Sequence, residues 1–88
     1  MMVTRGGTLE ALDGNAIAGA LHDYFGREMT SATGRCAHCG TRAVLAELAV
    51  YRDAPGAVVR CRACGDVVMV VLELRGRVTV DHRHFTLA

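Results

Sequence analysis

Between Leu9 and Phe25 the apolar positions Ile17, Ala20, Leu21, Tyr24 and Phe25 recur at three- and four-residue steps. That spacing is one face of a helix, so the segment predicts a short helix whose stripe packs on a core. Asp13 or Asn15 stands where a side-chain cap is wanted, and Gly26 can close the helix in the left-handed conformation. Gly19 lowers helix propensity but lets a helix approach a sheet closely. Arg27 to Gly34 reads as a polar linker carrying Thr30, Ser31 and Thr33.

Beyond the linker the period changes from about 3.6 to 2. Val44 to Tyr51 alternates, with Val44, Ala46, Leu48 and Val50 on one face, and predicts a strand. Asp53-Ala54-Pro55-Gly56 is a turn, after which Val58 to Arg60 runs back. Val67 to Leu74 is a third strand. Arg75-Gly76 is a tight turn into a fourth, Arg77 to Asp81, and Phe85 to Leu87 is expected to add a final edge. Within Val67 to Leu72, Val67, Met69 and Val71 alternate with Val68, Val70 and Leu72, so both faces are apolar. Such a strand is normally covered on both sides. The helix can cover one face. The other calls for the C-terminal residues, a second copy of the chain or a partner.

Composition narrows the class. Eighty-eight residues, half of them hydrophobic, make one small folded unit with a thin core, of the size that commonly adds a disulfide or metal staple. The expected division is a tail and helix over 1–30 and a cysteine-bearing unit over 31–88. The longest apolar run, Val67 to Leu72, is far too short to span a membrane. The opening stretch MMVTRGGTLEALDG lacks an apolar core of signal-peptide type, so a cytoplasmic, reducing setting is expected. All ten basic residues are arginine. With the abundant Ala, Val and Gly, this reads as the codon bias of a GC-rich genome.

The cysteines change the picture most. RCAHCGT at Arg35 to Thr41 and RCRACGD at Arg60 to Asp66 hold all four of them, as C-x2-C-x21-C-x2-C. Two such pairs predict one tetrahedral site made by Cys36, Cys39, Cys61 and Cys64. The glycine after each pair, Gly40 and Gly65, suits the positive φ of a metal knuckle. One structural Zn2+ is the expected occupant. Iron in a rubredoxin-like site is the minor alternative, set back by the absence of Trp and of proline in either knuckle. A redox C-x-x-C would need one reactive pair in a βαβ setting, and two disulfides would suit an exported chain. Four sulfurs leave no open coordination position, so the site reads as structural. His38, between two ligands, is expected to be an exposed side chain. His22 is expected on the wet side of the helix, and His82 and His84 are expected as polar strand-end residues able to share one face.

Knuckle, hairpin, knuckle, hairpin behind a helix is a small α+β zinc-ribbon layout. The chain resembles a family of small uncharacterised zinc-ribbon proteins found mainly in high-GC Gram-positive bacteria. The resemblance is carried by LDGNAIAGAL at Leu12 to Leu21, TGRCAHCG at Thr33 to Gly40, YRDAPGAVVRCRACG at Tyr51 to Gly65, and the strand after it. It implies a zinc ribbon with an N-terminal helix and no assigned activity.

Three function classes are open. Arg35, Arg42, Arg60 and Arg62 flank the knuckles and mark a candidate partner-contact end, with Glu47, Asp53 and Asp66 as candidate ion-pair partners. Nucleic-acid binding is the alternative, but four thiolates and one Zn2+ add −2 to a formal charge of +1, giving about −1. That is poor for long-range attraction to phosphates. No nucleophile triad, phosphate loop or H-E-x-x-H pattern occurs, so an enzyme is not expected. A protein-interaction or accessory module, meeting an unknown protein partner or a second copy, is the favoured class.

Overall fold

The computed structural model describes residues 11–88. Over these described residues the chain is small α+β, with one α-helix and two antiparallel sheets. A 3-10 turn at Gly14–Ile17 leads into α1, Ala18–Phe25. Then come β1 (Thr33–Cys36), β2 (Arg42–Val44), a second 3-10 turn (Leu45–Glu47) and β3 (Ala49–Asp53). β4 (Gly56–Arg60), β5 (Val67–Leu74), β6 (Arg77–Asp81) and β7 (Phe85–Leu87) complete the order. The small sheet runs β2-β1-β7 and the larger one β3-β4-β5-β6.

The helical segment is shorter than its stripe predicts. Leu9 and Glu10 lie outside the described residues. Leu12 instead makes an isolated bridge to Val50, each N–H donating to the other's carbonyl at 2.9 and 2.8 Å. Asp13 caps the 3-10 turn, its carboxylate accepting from the Asn15 N–H at 3.0 Å. Gly26 closes α1 at φ 76°, donating to the His22 carbonyl. Ile17, Ala20 and Leu21 are buried as expected, but Tyr24 is 45% exposed and Phe25 is only partly buried.

The strand expected over Val44 to Tyr51 is broken. Leu45 and Ala46 donate to the carbonyls of Ala32 and Thr30, while the Glu47 carboxylate accepts from the Val44 N–H at 3.0 Å. These bonds draw the backbone into a 3-10 turn. Its three-residue period puts Leu45 and Leu48 together in the core, where strict alternation would have sent them to opposite faces. Gly14 makes the fit possible. A Cβ there would lie 1.9 Å from the Leu45 carbonyl oxygen, so only glycine lets the two 3-10 turns abut. The polar linker also ends early, because Thr33 and Gly34 belong to β1.

One cluster of buried side chains unites Ile17, Ala20 and Leu21 with Val50, Ala57, Val59, Met69, Val71 and Val80 on the inner face of the larger sheet. Phe85 joins the same cluster from β7, its ring lying where a side chain on Gly34 would be. The register shifts between Val59 and Arg60, opposite Val68. This bulge lets Val68 and Met69, neighbours in sequence, both be buried. The other face of β5 is not in the core. Val70 is half-buried, and Leu72 and Leu74 are 41% and 54% exposed. Among the described residues, then, only one face of this two-faced apolar strand is fully covered.

Candidate metal centre

The register Arg35↔Arg42 closes a hairpin whose tip is the first C-x-x-C-G loop. The second loop joins β4 to β5. Both are built alike. The Cys36 N–H donates to the Thr41 carbonyl and the Gly40 N–H to the Cys36 carbonyl. The Cys61 N–H donates to the Asp66 carbonyl and the Gly65 N–H to the Cys61 carbonyl. Gly40 and Gly65 sit at φ 80° and 81°, where an L side chain costs about 1–2 kcal/mol. The sequence repeat is thus a backbone repeat.

The two loops bring Cys36, Cys39, Cys61 and Cys64 together, with all four sulfurs within 4.8 Å of one another. Cys36 to Cys64 is 3.8 Å and Cys39 to Cys61 is 3.7 Å. A tetrahedron of thiolates about 2.3 Å from a central ion has edges of about 3.8 Å. The donor set and its spacing fit a metal ion. Cys36 and Cys61 are buried and Cys39 and Cys64 exposed, so the first cysteine of each pair roots the cluster in the core.

The thiols do not ionise alike. The Thr41 hydroxyl, 3.1 Å from Cys39 Sγ, and the Thr41 backbone lower the Cys39 pKa to about 6. Cys64 gains a favourable backbone N–H from Asp66, but desolvation and its three sulfur neighbours outweigh it and push it up to about 12. Four crowded sulfurs resist carrying four charges by themselves. A bound cation reverses that balance, which is how metal binding releases protons.

The histidines stand beside the cluster rather than in it. His38 is exposed, with Nδ1 3.6 Å from Asp66 Oδ2 and its ring stacked on His84 at 5.0 Å. Its backbone N–H lies 3.4 Å from Cys36 Sγ. The His84 carbonyl accepts from the Ala37 N–H. His82 turns elsewhere, onto Phe25 at 5.5 Å. The H-x-H pair therefore does not share a strand face, because β6 ends at Asp81 and a turn follows. Thr41 is the contributor that the spacing alone did not single out. Its signal is positional, since Thr41 and Asp66 occupy equivalent places two residues after the second cysteine of each pair.

The four arginines divide. Arg60 donates to the Gly65 carbonyl at 2.8 Å and lies 6.0 Å from the Tyr51 ring. Arg62 donates to the Glu47 carbonyl at 2.7 Å and reaches the Leu12 carbonyl at 3.4 Å. Both brace their own loop. Arg35 and Arg42 face each other across β1 and β2 and are exposed. Among the described residues neither makes an ion pair, and Glu47, Asp53 and Asp66 pair with no arginine. Arg42 also borders a cavity of about 400 Å3 with Thr41, Glu47, Leu48, Cys61 and Arg62.

A model of a family of unknown function, DUF6510, matches residues 8–88. The chain belongs to DUF6510. No curated protein and no solved structure matches it. In this DUF6510 chain the matched span takes in both cysteine loops and every described element. Among the described residues no helix is long and apolar enough to cross a membrane.

Proposed function

We propose that this chain is a cytoplasmic zinc ribbon. Cys36, Cys39, Cys61 and Cys64 hold one structural Zn2+, and the chain acts as a non-catalytic accessory module that meets a protein partner. The single observation that carries the metal reading is the closed cluster of four sulfurs on two loops with the same backbone bonds. Zinc is favoured over iron because neither loop contains proline and the chain has no Trp. When bound, the ion supplies folding free energy by joining two loops that are 21 residues apart in sequence. Elemental analysis of untagged protein should give about one zinc per chain, and a chelator should unfold it. Stoichiometric iron, or a metal-free chain that unfolds cooperatively with two disulfides, would overturn the assignment.

The partner reading draws on the arginines. Like charges directly opposite one another on neighbouring strands are destabilising. A pair such as Arg35 and Arg42 is therefore suited to an external anion, and paired guanidinium forks match carboxylates well. An acidic protein segment over Arg35 and Arg42 fits this surface better than a nucleic-acid backbone. Tracking phosphates calls for a broader basic footprint than two free arginines beside an anionic cluster. Titration with single-stranded RNA and duplex DNA at about 0.15 M salt should show at most weak, non-specific binding, unchanged in Arg35→Ala/Arg42→Ala. Submicromolar binding, lost in that variant while zinc content holds, would instead establish the nucleic-acid alternative.

A further inference from the structure

The two edges of the larger sheet differ. The outer edge of β3 is occupied, since Val50 exchanges both backbone bonds with Leu12. Among the described residues, the outer edge of β6 has no such strand. Leu74 and Arg77 flank the two-residue turn Arg75-Gly76, with both turn residues at positive φ, the geometry in which the flanking pair is hydrogen-bonded. Alternation then makes Leu72↔Thr79 and Val70↔Asp81 hydrogen-bonded pairs, and turns the N–H and C=O of Val78 and Val80 outward. The Glu73 N–H confirms the phase, because it donates to the Pro55 carbonyl on the β4 side and not to Val78. Among the described residues, no backbone bond outside the sheet satisfies Val78 or Val80.

The sequence of this edge, Arg77-Val78-Thr79-Val80-Asp81, is self-complementary. Turned about Thr79, it sets Arg77 against Asp81, Val78 against Val80 and Thr79 against itself. The hydrogen-bonding phase agrees, because Val78 and Val80 are the two residues whose backbone groups face out. Arg77 has no ion-pair partner among the described residues. Asp81 binds Arg83 at 2.8 and 3.0 Å, and a carboxylate keeps further acceptor sites. Beside the Asp81 end, Tyr24 packs edge-on against Phe25, which lies on His82. Tyr24 itself is 45% exposed.

We infer that a second copy of this chain pairs along β6, antiparallel about a two-fold axis at Thr79. The two four-stranded sheets become one sheet of eight strands. Val78 of each copy exchanges N–H···O=C bonds with Val80 of the other. Arg77 of each copy meets Asp81 of the other on the outer face. The pairing is isologous, so it closes at a dimer and does not propagate, and it removes an edge that would otherwise template uncontrolled strand addition. It uses no residue of the cysteine cluster, so it stands or falls separately from the metal assignment.

Sedimentation velocity on the full chain as purified provides the test. Wild type should move with rising concentration from the 9.4 kDa chain toward twice that mass. Arg77→Asp and Asp81→Arg should each weaken self-association by about tenfold or more, because each replaces two attractive cross-strand pairs by repulsive ones. An equimolar mixture of the two variants should associate again, since each then presents the charges the other lacks. Recovery in the mixture also shows that both variants are folded. Thr79→Arg, which sets like charges face to face on the axis, should be monomeric with unchanged far-ultraviolet circular dichroism. A wild-type chain that stays monomeric throughout overturns the inference. So does a dimer that survives all three substitutions, or a mixture that fails to associate while each variant keeps the wild-type circular dichroism.

Discussion

The two cysteine loops have almost one sequence and one backbone, yet their surroundings give them different work. Arg35 and Arg60 both precede the first cysteine of a pair. Arg60 reaches back to the Gly65 carbonyl of its own loop, and Arg62 ties that loop to the Leu45–Glu47 turn through the Glu47 carbonyl. On the first loop Arg35 faces Arg42 across the hairpin, away from any carboxylate among the described residues. Repetition fixes the backbone turns that bring the four sulfurs together. What lies outside the repeat decides whether an arginine holds the fold together or stays free for a partner.

The largest effects should treat the two loops alike. Cys36→Ala and Cys61→Ala each remove a buried sulfur of the cluster, and either should abolish metal binding and leave the chain largely unfolded, as judged by metal content and near-ultraviolet circular dichroism. A well-folded, metal-loaded Cys61→Ala would mean that the loops are not equal partners. Gly40→Ala and Gly65→Ala should each cost about 1–2 kcal/mol in chemical denaturation, because both positions require positive φ.

Next come substitutions that separate the loops. Arg62→Ala removes bonds to the Glu47 and Leu12 carbonyls and should cost about 1 kcal/mol. Arg35→Ala and Arg42→Ala should fall within about 0.5 kcal/mol of wild type, or stabilise slightly by relieving repulsion. Equal losses at Arg35 and Arg62 would erase the distinction between bracing and free arginines.

The smallest effect is a pH effect. Thr41 stabilises the Cys39 thiolate and so lowers its pKa. Thr41→Ala should raise the proton affinity of that sulfur, so protons displace the metal at higher pH than in wild type. Asp66 touches its cysteine loop through backbone groups, and Asp66→Ala should leave the release midpoint nearly unchanged. Release followed with a colorimetric zinc indicator across a pH series reads both.

The residues that carry the chemistry were the most legible from sequence. The doubled C-x-x-C-G foretold the cluster because ligand spacing and positive-φ glycines are local requirements. The Val67–Leu74 and Arg77–Asp81 hairpin and the Arg75-Gly76 turn were legible for the same reason. What escaped was decided at a distance. Alternation over Val44 to Tyr51 looked like one strand, but bonds from Ala32 and Thr30 and the missing side chain of Gly14 favour a 3-10 turn there. The Tyr24 position obeyed the helical period and lies within α1, yet it is 45% exposed. The acidic residues expected to neutralise the arginines take other partners, Glu47 the Val44 N–H and Asp66 the His38 ring. The apolar outer face of β5 was visible in sequence, whereas the self-complementary edge beside it emerged only with the register.

X-ray absorption at the metal edge of the purified protein reads directly what the four sulfurs hold. The expected result is a zinc edge, with a first shell of four sulfurs at about 2.3 Å that is lost on Cys36→Ala and Cys61→Ala. An iron edge, or a zinc shell containing nitrogen or oxygen from His38 or Asp66 in place of a sulfur, would contradict it.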